Sequence, residues 1–219
     1  MLKCDFHIHT RYSPDSNLSP DLIIKTAIEK KLDVLGVVDH DILKGGPETK
    51  KLAAKIAPDL VVIPGEEIKT LSGEIIAFGI QNTIPRKLTL RKTIEEARKQ
   101  NAFVVVPHPF EKIRQGLGNA ILDIKDDIDA VEAFNSRCFL GSFNKKALKF
   151  ATENNIPVIA GSDSHFDYEI GSGYTYVDAE PDENSVLDAI RKGRTEIGGK
   201  ITGLKSHFHT FMQKILNKT

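Results

Sequence analysis

The chain has 219 residues, of which 40% are hydrophobic and 27% charged, enough for one large domain with a substantial core. Thirty basic and thirty acidic residues cancel, which excludes a global basic field that recruits nucleic acid by charge alone. Two cysteines, Cys4 and Cys138, are too few for a disulfide framework, and no segment has a signal-peptide core or the length of a bilayer span, so reduced thiols, a cytoplasmic location and no membrane partner are expected.

The first strand is expected over Leu2–His9. Ser19 then offers an N-cap and Pro20 a first helical residue, with Leu22, Ile23, Ala27 and Ile28 on one face. Strands follow at Val34–Asp39, Leu60–Pro64 and Glu74–Ile80. The last two are separated by a short turn around Thr70–Gly73, too short for a parallel crossover, so they form an antiparallel hairpin. Thr89 caps a helix over Leu90–Asn101. The apolar run Phe103-Val104-Val105-Val106 marks a strand, Ala102–Pro107, covered on both faces. Strands at Ala130–Asn135, Pro157–Gly161 and Tyr174–Val177 alternate with helices at Asn144–Asn154 and Glu183–Lys192. Leu204, Phe208, Phe211, Met212 and Ile215 share a helical face, so residues 204–219 read as a last helix docked on a barrel formed by residues 1–203. The alternation gives an α/β fold with a largely parallel sheet, and the hairpin makes it an irregular barrel.

Histidine placement carries the chemistry. His7 and His9 are two apart on a strand, so both imidazoles can converge on one ion, and alternation puts Asp5 on the same face. Asp163-Ser164-His165 repeats the pattern. Asp39-His40-Asp41, Glu66-Glu67 and His108 also stand at or just past strand carboxyl ends, the edge where active sites of α/β barrels assemble. Mixed His, Asp and Glu donors suit Zn²⁺, Mn²⁺ or Fe²⁺. Adjacent side chains diverge on a strand, so Asp39 reads as a carboxylate that orients an imidazole, and Asp5 as doing the same for His7.

These residues resemble the motifs of the polymerase-and-histidinol-phosphatase (PHP) superfamily. Asp5-Phe6-His7-Ile8-His9-Thr10 with Tyr12-Ser13-Pro14-Asp15 is similar to the first motif, Val38-Asp39-His40-Asp41 to the second, Pro107-His108-Pro109-Phe110 to the third and Gly161-Ser162-Asp163-Ser164-His165 to the fourth. Val131–Arg137 and Glu169-Ile170-Gly171 resemble short, stand-alone members. The resemblance implies a distorted (β/α)₇ TIM-like barrel, two or three divalent ions (Zn, Mn, Fe or Mg) and hydrolysis of phosphate esters. It carries a metal-ligand role to His7, His9, His40, His108, Asp163 and His165. The Gly-x-Glu pattern selects Glu67 as a bridging carboxylate and turns Glu66 elsewhere. Asp15 stands where many members have a further ligand, and Glu74 where short relatives have histidine.

The implied reaction is in-line attack on phosphorus by a water that a bound ion activates, without a covalent intermediate. Candidate catalytic residues are His40, Asp39, Asn135 and Arg137, with Arg114 and Lys44 as further cations for phosphoryl charge. Gly116-Leu117-Gly118-Asn119 reads as a plain turn, with a flexible lip over the cleft as the alternative. The substrate is a small phosphate ester (a nucleotide or sugar phosphate) or a nucleic-acid end. A non-catalytic scaffold and a metal-dependent amidohydrolase are the competing readings. Oligomeric state is not written in the sequence.

Overall fold

The computed structural model describes residues 1–202 together with Ser206, His209 and Met212. In chain order it contains β1 (Leu2–Ile8), α1 (Pro20–Glu29), β2 (Val34–His40), α2 (Gly45–Ile56), β3 (Val61–Lys69), β4 (Glu74–Phe78), α3 (Leu90–Arg98), β5 (Phe103–Val106), β6 (Ala130–Asn135), α4 (Gly141–Glu153), β7 (Val158–Gly161), β8 (Gly173–Val177), α5 (Glu183–Arg191) and β9 (Thr195–Gly199). Ser206, His209 and Met212 are helical. The packing expected of Leu204, Phe208, Phe211 and Ile215 falls outside the described residues.

The strands lie in the order β7-β6-β5-β4-β3-β2-β1-β8-β9. β1, β2 and β3 are mutually parallel, as are β5, β6 and β7, and β4 runs antiparallel to both β3 and β5. The short Thr70–Gly73 connection dictates that reversal. The chain leaving β7 returns to β1: Ser164 bridges Ile8 in parallel, His9 N donates to Ser164 O (3.0 Å) and Ser164 N donates to His7 O (3.1 Å). β1 through β7 thus form a nearly closed, distorted seven-stranded barrel. β8 pairs antiparallel with the other end of β1, from Leu2 to Cys4, and β9 pairs with β8. β9 was not expected; Thr195-Glu196-Ile197-Gly198-Gly199 lacks the apolar alternation that marks a strand.

At the seam a side chain takes over ladder bonds. Thr175 Oγ1 accepts from Ala160 N (2.8 Å) and donates to Ala160 O (3.2 Å). The approach of β7 to β1 also needs a residue without Cβ at Gly161, where a Cβ would lie 2.4 Å from that of His7.

Three apolar layers hold these elements. Cys4, Phe6, Val34, Val38, Ile63, Phe78, Phe103 and Val105 fill the barrel, with the Phe6 and Phe78 rings edge to face at 6.3 Å. Val186, Ala189 and Ile190 of α5 join them from the amino-terminal end of the parallel strands, where Arg191 Nε pairs with Asp129 (3.0 Å), just ahead of β6. Outside, Ile23, Ile24, Ala27 and Ala53 pack α1 and α2 on Leu35, Val37 and Val62, and Ile94, Ala97, Ala147 and Ala151 pack α3 and α4 on Val104, Val106 and Val131. Each fully buried Ile or Phe contributes about 1.5–3 kcal/mol, so the opposite edge can hold polar side chains at the expense of some stability. No helix among the described residues is long and apolar enough to cross a membrane.

Candidate metal centre

Parallel strands deliver their carboxyl ends to one edge, and the antiparallel β4 delivers its first residue there. Hence His7 and His9 (β1), His40 (β2), Glu67 (β3), Glu74 (β4), His108 (after β5) and Asp163 and His165 (after β7) meet at one mouth, with Asp15 from the loop after β1. β3 runs to Lys69, past the expected Pro64, so alternation separates its two glutamates: Glu67 turns in, and Glu66 turns out to accept from Ile84 N (2.9 Å).

β1 does not alternate evenly. Asp5 pairs with Leu35 and Ile8 with Val37, two residues of the outer layer. Three steps on β1 match two on β2, which is a bulge at Phe6-His7. Asp5 therefore lies on the face opposite His7, contrary to the expectation from strict alternation. Its carboxylate accepts from Ser162 N (2.8 Å) and Gly171 N (2.7 Å) and holds the seam. Glu132 orients His7 instead.

Hydrogen bonding fixes the imidazoles. A carboxylate or carbonyl oxygen only accepts, so the facing ring nitrogen donates. His7 Nδ1 donates to Glu132 Oε1 (3.0 Å) and His165 Nδ1 donates to Asp163 O (2.9 Å). Ser13 Oγ donates to Asp39 Oδ1 (2.7 Å) and accepts from His9 Nδ1 (3.1 Å). In their neutral forms all three rings present an Nε2 lone pair inward, and Nε2 of His7 lies 3.1 Å from Nε2 of His9. Burial opposes protonation of His7, but Asp163, Glu132 and Glu67 hold it well above its ordinary value, so a proton occupies the position an ion would take. Two such lone pairs demand a shared positive charge.

The carboxylates supply the field for it. Glu67 Oε2 stands 3.0 Å from His40 Nδ1, 3.3 Å from His9 Nε2 and 3.5 Å from His7 Nε2, while Oε1 faces His108 Nε2 at 3.2 Å. Asp163 Oδ1 lies 3.5 Å from His9 Nε2, and Asp15 Oδ1 lies 3.3 Å from His165 Nε2. Burial opposes ionisation of Glu67 and Asp163, yet His7 and His40 for the first, and Arg114 and His7 for the second, hold both carboxyls well below the usual range. Burial together with His165 and His40 pushes His9 well below its ordinary value, leaving it a neutral donor. Burial and Glu67 push Glu74 up to about 7. Its Oε1 accepts from Gln115 Nε2 (2.9 Å) and its Oε2 lies 3.8 Å from His108 Nε2.

Among the described residues, donor atoms close enough for one ion occur in three overlapping groups: His9 with His40 and His165, His7 with His9 and Glu67, and His40 with Glu67 and Glu74. Asp15, Asp163 and His108 border them. The donor set fits divalent cations, because it pairs converging lone pairs with ionised carboxylates in a buried pocket. The pocket is strained as well: His108 (φ 28°) and Asp163 (φ 56°) adopt left-handed backbone at about 1–3 kcal/mol each.

Three expected catalytic residues stand behind the centre. Asp39 accepts from Thr10 N (2.8 Å), Thr10 Oγ1 (2.7 Å) and Ser13 Oγ (2.7 Å), so it reaches His9 through Ser13. Asn135 is saturated: Nδ2 donates to Glu132 Oε2 and Asp163 Oδ2 (both 2.9 Å), and Oδ1 accepts from Arg137 N (2.9 Å) and Arg114 Nη1 (3.1 Å). It orients the protein's own groups and has no donor or acceptor left for substrate. The Arg137 guanidinium is buried away from the mouth, 3.7 Å from Glu169 Oε1, and donates to Asp163 O (3.4 Å) and Ser206 O (3.3 Å). The cation that reaches the centre is Arg114, bonded to Asp163 Oδ2. Lys44 lies over the Tyr12 ring (4.4 Å). Gly116 and Leu117 close a tight turn, as the plain-turn reading has it, and Gly118 and Asn119 open a 3-10 helix.

Ser13, Glu132, Glu169 and Gln115 complete the support. Glu169 Oε2 accepts from His165 N (2.8 Å) and Phe166 N (3.1 Å). Glu132 had a legible signal, an acid inside the apolar run Ala130–Phe134. Ser13 stands inside the first motif, and Gln115 had no signal.

Residues 141–195 match the family model described as PHP-associated. The chain is 38% identical over 157 residues to an uncharacterized protein of Methanocaldococcus jannaschii, covering 67% of this chain and 90% of that one. A shorter stretch of 67 residues is 33% identical to the 5'-3' exoribonuclease Rnm of Salmonella typhimurium, 31% of this chain and 22% of that protein. The fold is similar to a two-domain protein of Bacteroides vulgatus containing a predicted PHP-like metal-dependent phosphoesterase. The TM-score is 0.73 at 22% identity, covering 97% of this chain and 69% of that one.

Proposed function

Because this chain belongs to the PHP superfamily, we propose that it is a hydrolase of phosphoric ester bonds that works with two or three divalent ions (Zn, Mn, Fe or Mg). One observation carries the reading. Nε2 of His7, His9 and His165 converge with Glu67 and Asp163 at the mouth of the barrel, each imidazole fixed from behind by its Nδ1 bond. His40, Glu74, His108 and Asp15 extend the ligand set on either side. Asp15, Glu67 and Asp163 supply ionised carboxylates for such ions, and the imidazoles beside them would release their protons as the ions bind. Metal ions bound there supply Lewis acidity, lowering the pKa of a water to about 7 and neutralising phosphoryl charge.

The chain's own residues do the rest. Glu132, Ser13 and the Asp163 carbonyl hold three imidazoles as Nε2 donors, so the site is arranged before substrate arrives. His40 and Arg114 are the site members with most solvent-facing surface, 24% and 17% of their side chains. Substrate therefore approaches from their side. A small phosphate ester is the proposed substrate; the likeness to an exoribonuclease supports an oligonucleotide end as the alternative occupant.

The test is a panel of phosphate esters (a chromogenic monoester and diester, nucleotides, a sugar phosphate and a 5'-phosphorylated oligonucleotide) run beside amides on protein of measured metal content. Chelation abolishes the activity and Mn²⁺ or Zn²⁺ restores it. His7→Ala and Asp163→Ala each lower metal content as well as rate. Metal-loaded protein that cleaves amides and no phosphate ester refutes the reading in favour of an amidohydrolase, and protein inactive on both refutes it in favour of a scaffold.

A further inference from the structure

Arg114 lies in the tight turn after His108. Glu111 N donates to His108 O (3.1 Å), Gly116 N to Glu111 O (3.0 Å) and Gly118 N to Pro109 O (2.7 Å). A Cβ on Gly116 would meet His108 O at 2.5 Å, so the turn is built directly on the backbone of a site residue. Its next residue, Gln115, has φ 61° and grips Glu74 twice: Gln115 Nε2 donates to Glu74 Oε1 (2.9 Å) and Gln115 O accepts from Glu74 N (3.0 Å). The turn is therefore tied to both His108 and Glu74, and Arg114 projects from it.

The guanidinium meets the centre through one carboxylate. Nη2 bonds Asp163 Oδ2, Nη1 donates to Asn135 Oδ1 (3.1 Å), and Nη1 lies 3.7 Å from Glu111 Oε2. The other oxygen of the same carboxylate, Oδ1, faces His9 Nε2 at 3.5 Å and His7 Nε2 at 3.9 Å. Asp163 thus carries a fixed cation on one oxygen and the converging imidazoles on the other. Two of the five N–H groups of the guanidinium are engaged in these hydrogen bonds, and the side chain is 17% exposed.

We propose that Arg114 is the phosphoryl-binding residue of this centre and that it competes with a bound divalent ion for Asp163, strengthening anion binding while weakening metal binding. The inference rests on the phosphoesterase reading. A planar fork of donors matches two phosphoryl oxygens better than a point charge does. A guanidinium and a metal ion sharing one carboxylate repel each other at short range, an effect on the order of tenfold in affinity at intermediate dielectric. A purely structural arginine has the opposite signature. Its loss would leave Asp163 less well held, and metal affinity would fall.

Arg114→Gln and Arg114→Lys decide between these. Mn²⁺ affinity is measured by competition with a chromogenic chelator, and inorganic phosphate affinity by calorimetry on Mn²⁺-loaded protein. Expected for Arg114→Gln is Mn²⁺ binding tightened on the order of tenfold and phosphate binding weakened on the order of tenfold or more. Arg114→Lys keeps Mn²⁺ affinity near wild type and recovers part of the phosphate affinity. Mn²⁺ affinity that falls in Arg114→Gln, or stays unchanged, overturns the competition, and unchanged phosphate affinity overturns the anion-binding role. Wild-type protein that binds no divalent ion overturns the metal-centre reading and this proposal together. Wild type that binds Mn²⁺ and hydrolyses phosphate esters, with an Arg114→Gln variant indistinguishable from it, overturns this proposal alone.

Discussion

Glu132→Gln is the sharpest probe of how the centre is held. Glu132 is fully buried and accepts three bonds: His7 Nδ1 at 3.0 Å on Oε1, and His108 N and Asn135 Nδ2, both at 2.9 Å, on Oε2. Glutamine keeps the shape and turns one acceptor into a donor. With the amide nitrogen toward His108 N and Asn135 Nδ2, two donors face a donor and two charge-assisted bonds are lost, about 1.5–3 kcal/mol each. With the amide nitrogen toward His7, one bond is affected, and it is restored once the His7 ring moves its proton to Nε2. The second arrangement costs less, so it is the one expected. It removes the Nε2 lone pair from the centre. Loss of such a support lowers metal affinity about 10–100-fold, equivalent to roughly 1.4–2.8 kcal/mol. Chelator competition reads the affinity, and urea unfolding of metal-free protein reads the stability. A drop in affinity with a modest change in urea midpoint is the expected pair. Glu132→Gln protein that binds Mn²⁺ or Zn²⁺ as tightly as wild type would refute the tautomer argument, since no other described group bonds His7 Nδ1.

Further consequences follow from the seam and the outer face. In Gly161→Ala the new methyl would lie 2.4 Å from His7 Cβ and 2.6 Å from Glu132 Oε1; a loss of about 1–3 kcal/mol in urea unfolding is expected together with weaker metal binding, and an unchanged midpoint would show that the seam yields freely. Thr175→Val removes both bonds to Ala160 without changing shape, so stability should fall by about 1–3 kcal/mol while Mn²⁺ affinity stays within about twofold of wild type. Burial pushes the outward-facing Glu66 carboxyl up to about 7 against an ordinary 4.5. The stability this protonated group contributes is fully present below pH 4.5 and is lost as pH rises through 7. Glu66→Gln should therefore match wild type at pH 5 and exceed it by about 2 kcal/mol at pH 9, and parallel pH profiles of the two urea midpoints would show that Glu66 is ionised throughout.

The barrel and most of its mouth were legible because two simple periodicities carry them. Alternating apolar runs and amphipathic helices located eight of the nine strands, and the short Thr70–Gly73 connection alone predicted the reversal at β4. Ligand candidates were visible because histidines and acids ending apolar strands have no packing reason to be there. What was missed depends on partners distant in sequence. Asn135 closes a strand at the active edge and reads as a substrate contact, but its four hydrogen bonds go to Glu132, Asp163, Arg137 and Arg114. Arg137 and Arg114 are indistinguishable as residue types. The turn built on His108 sends Arg114 into the mouth, and Glu169 draws Arg137 behind it. The pairing of β8 with β1 needed no motif of its own and left none.

The bulge at Phe6-His7 shows why fold closure and site assembly are one event. Without it, Asp5, His7 and His9 would share a face, and three polar side chains would crowd the barrel end while nothing anchored the Ser162 and Gly171 amides. With it, Phe6 and His7 both turn inward, one to the Phe78 ring and the other to the centre, and Asp5 turns out to those two amides. The amides belong to the chain that carries Asp163 and His165. An outward residue of β1 therefore fixes the position of two site residues that enter from β7, and an inward residue of the same strand meets them. Substituting Asp5 should consequently disturb metal binding although its carboxylate touches no ligand side chain. Asp5→Asn retains one acceptor oxygen for the two amides and should weaken Mn²⁺ binding less than Asp5→Ala, which retains none. Equal Mn²⁺ affinity in Asp5→Ala and wild type would separate closure of the barrel from assembly of the centre.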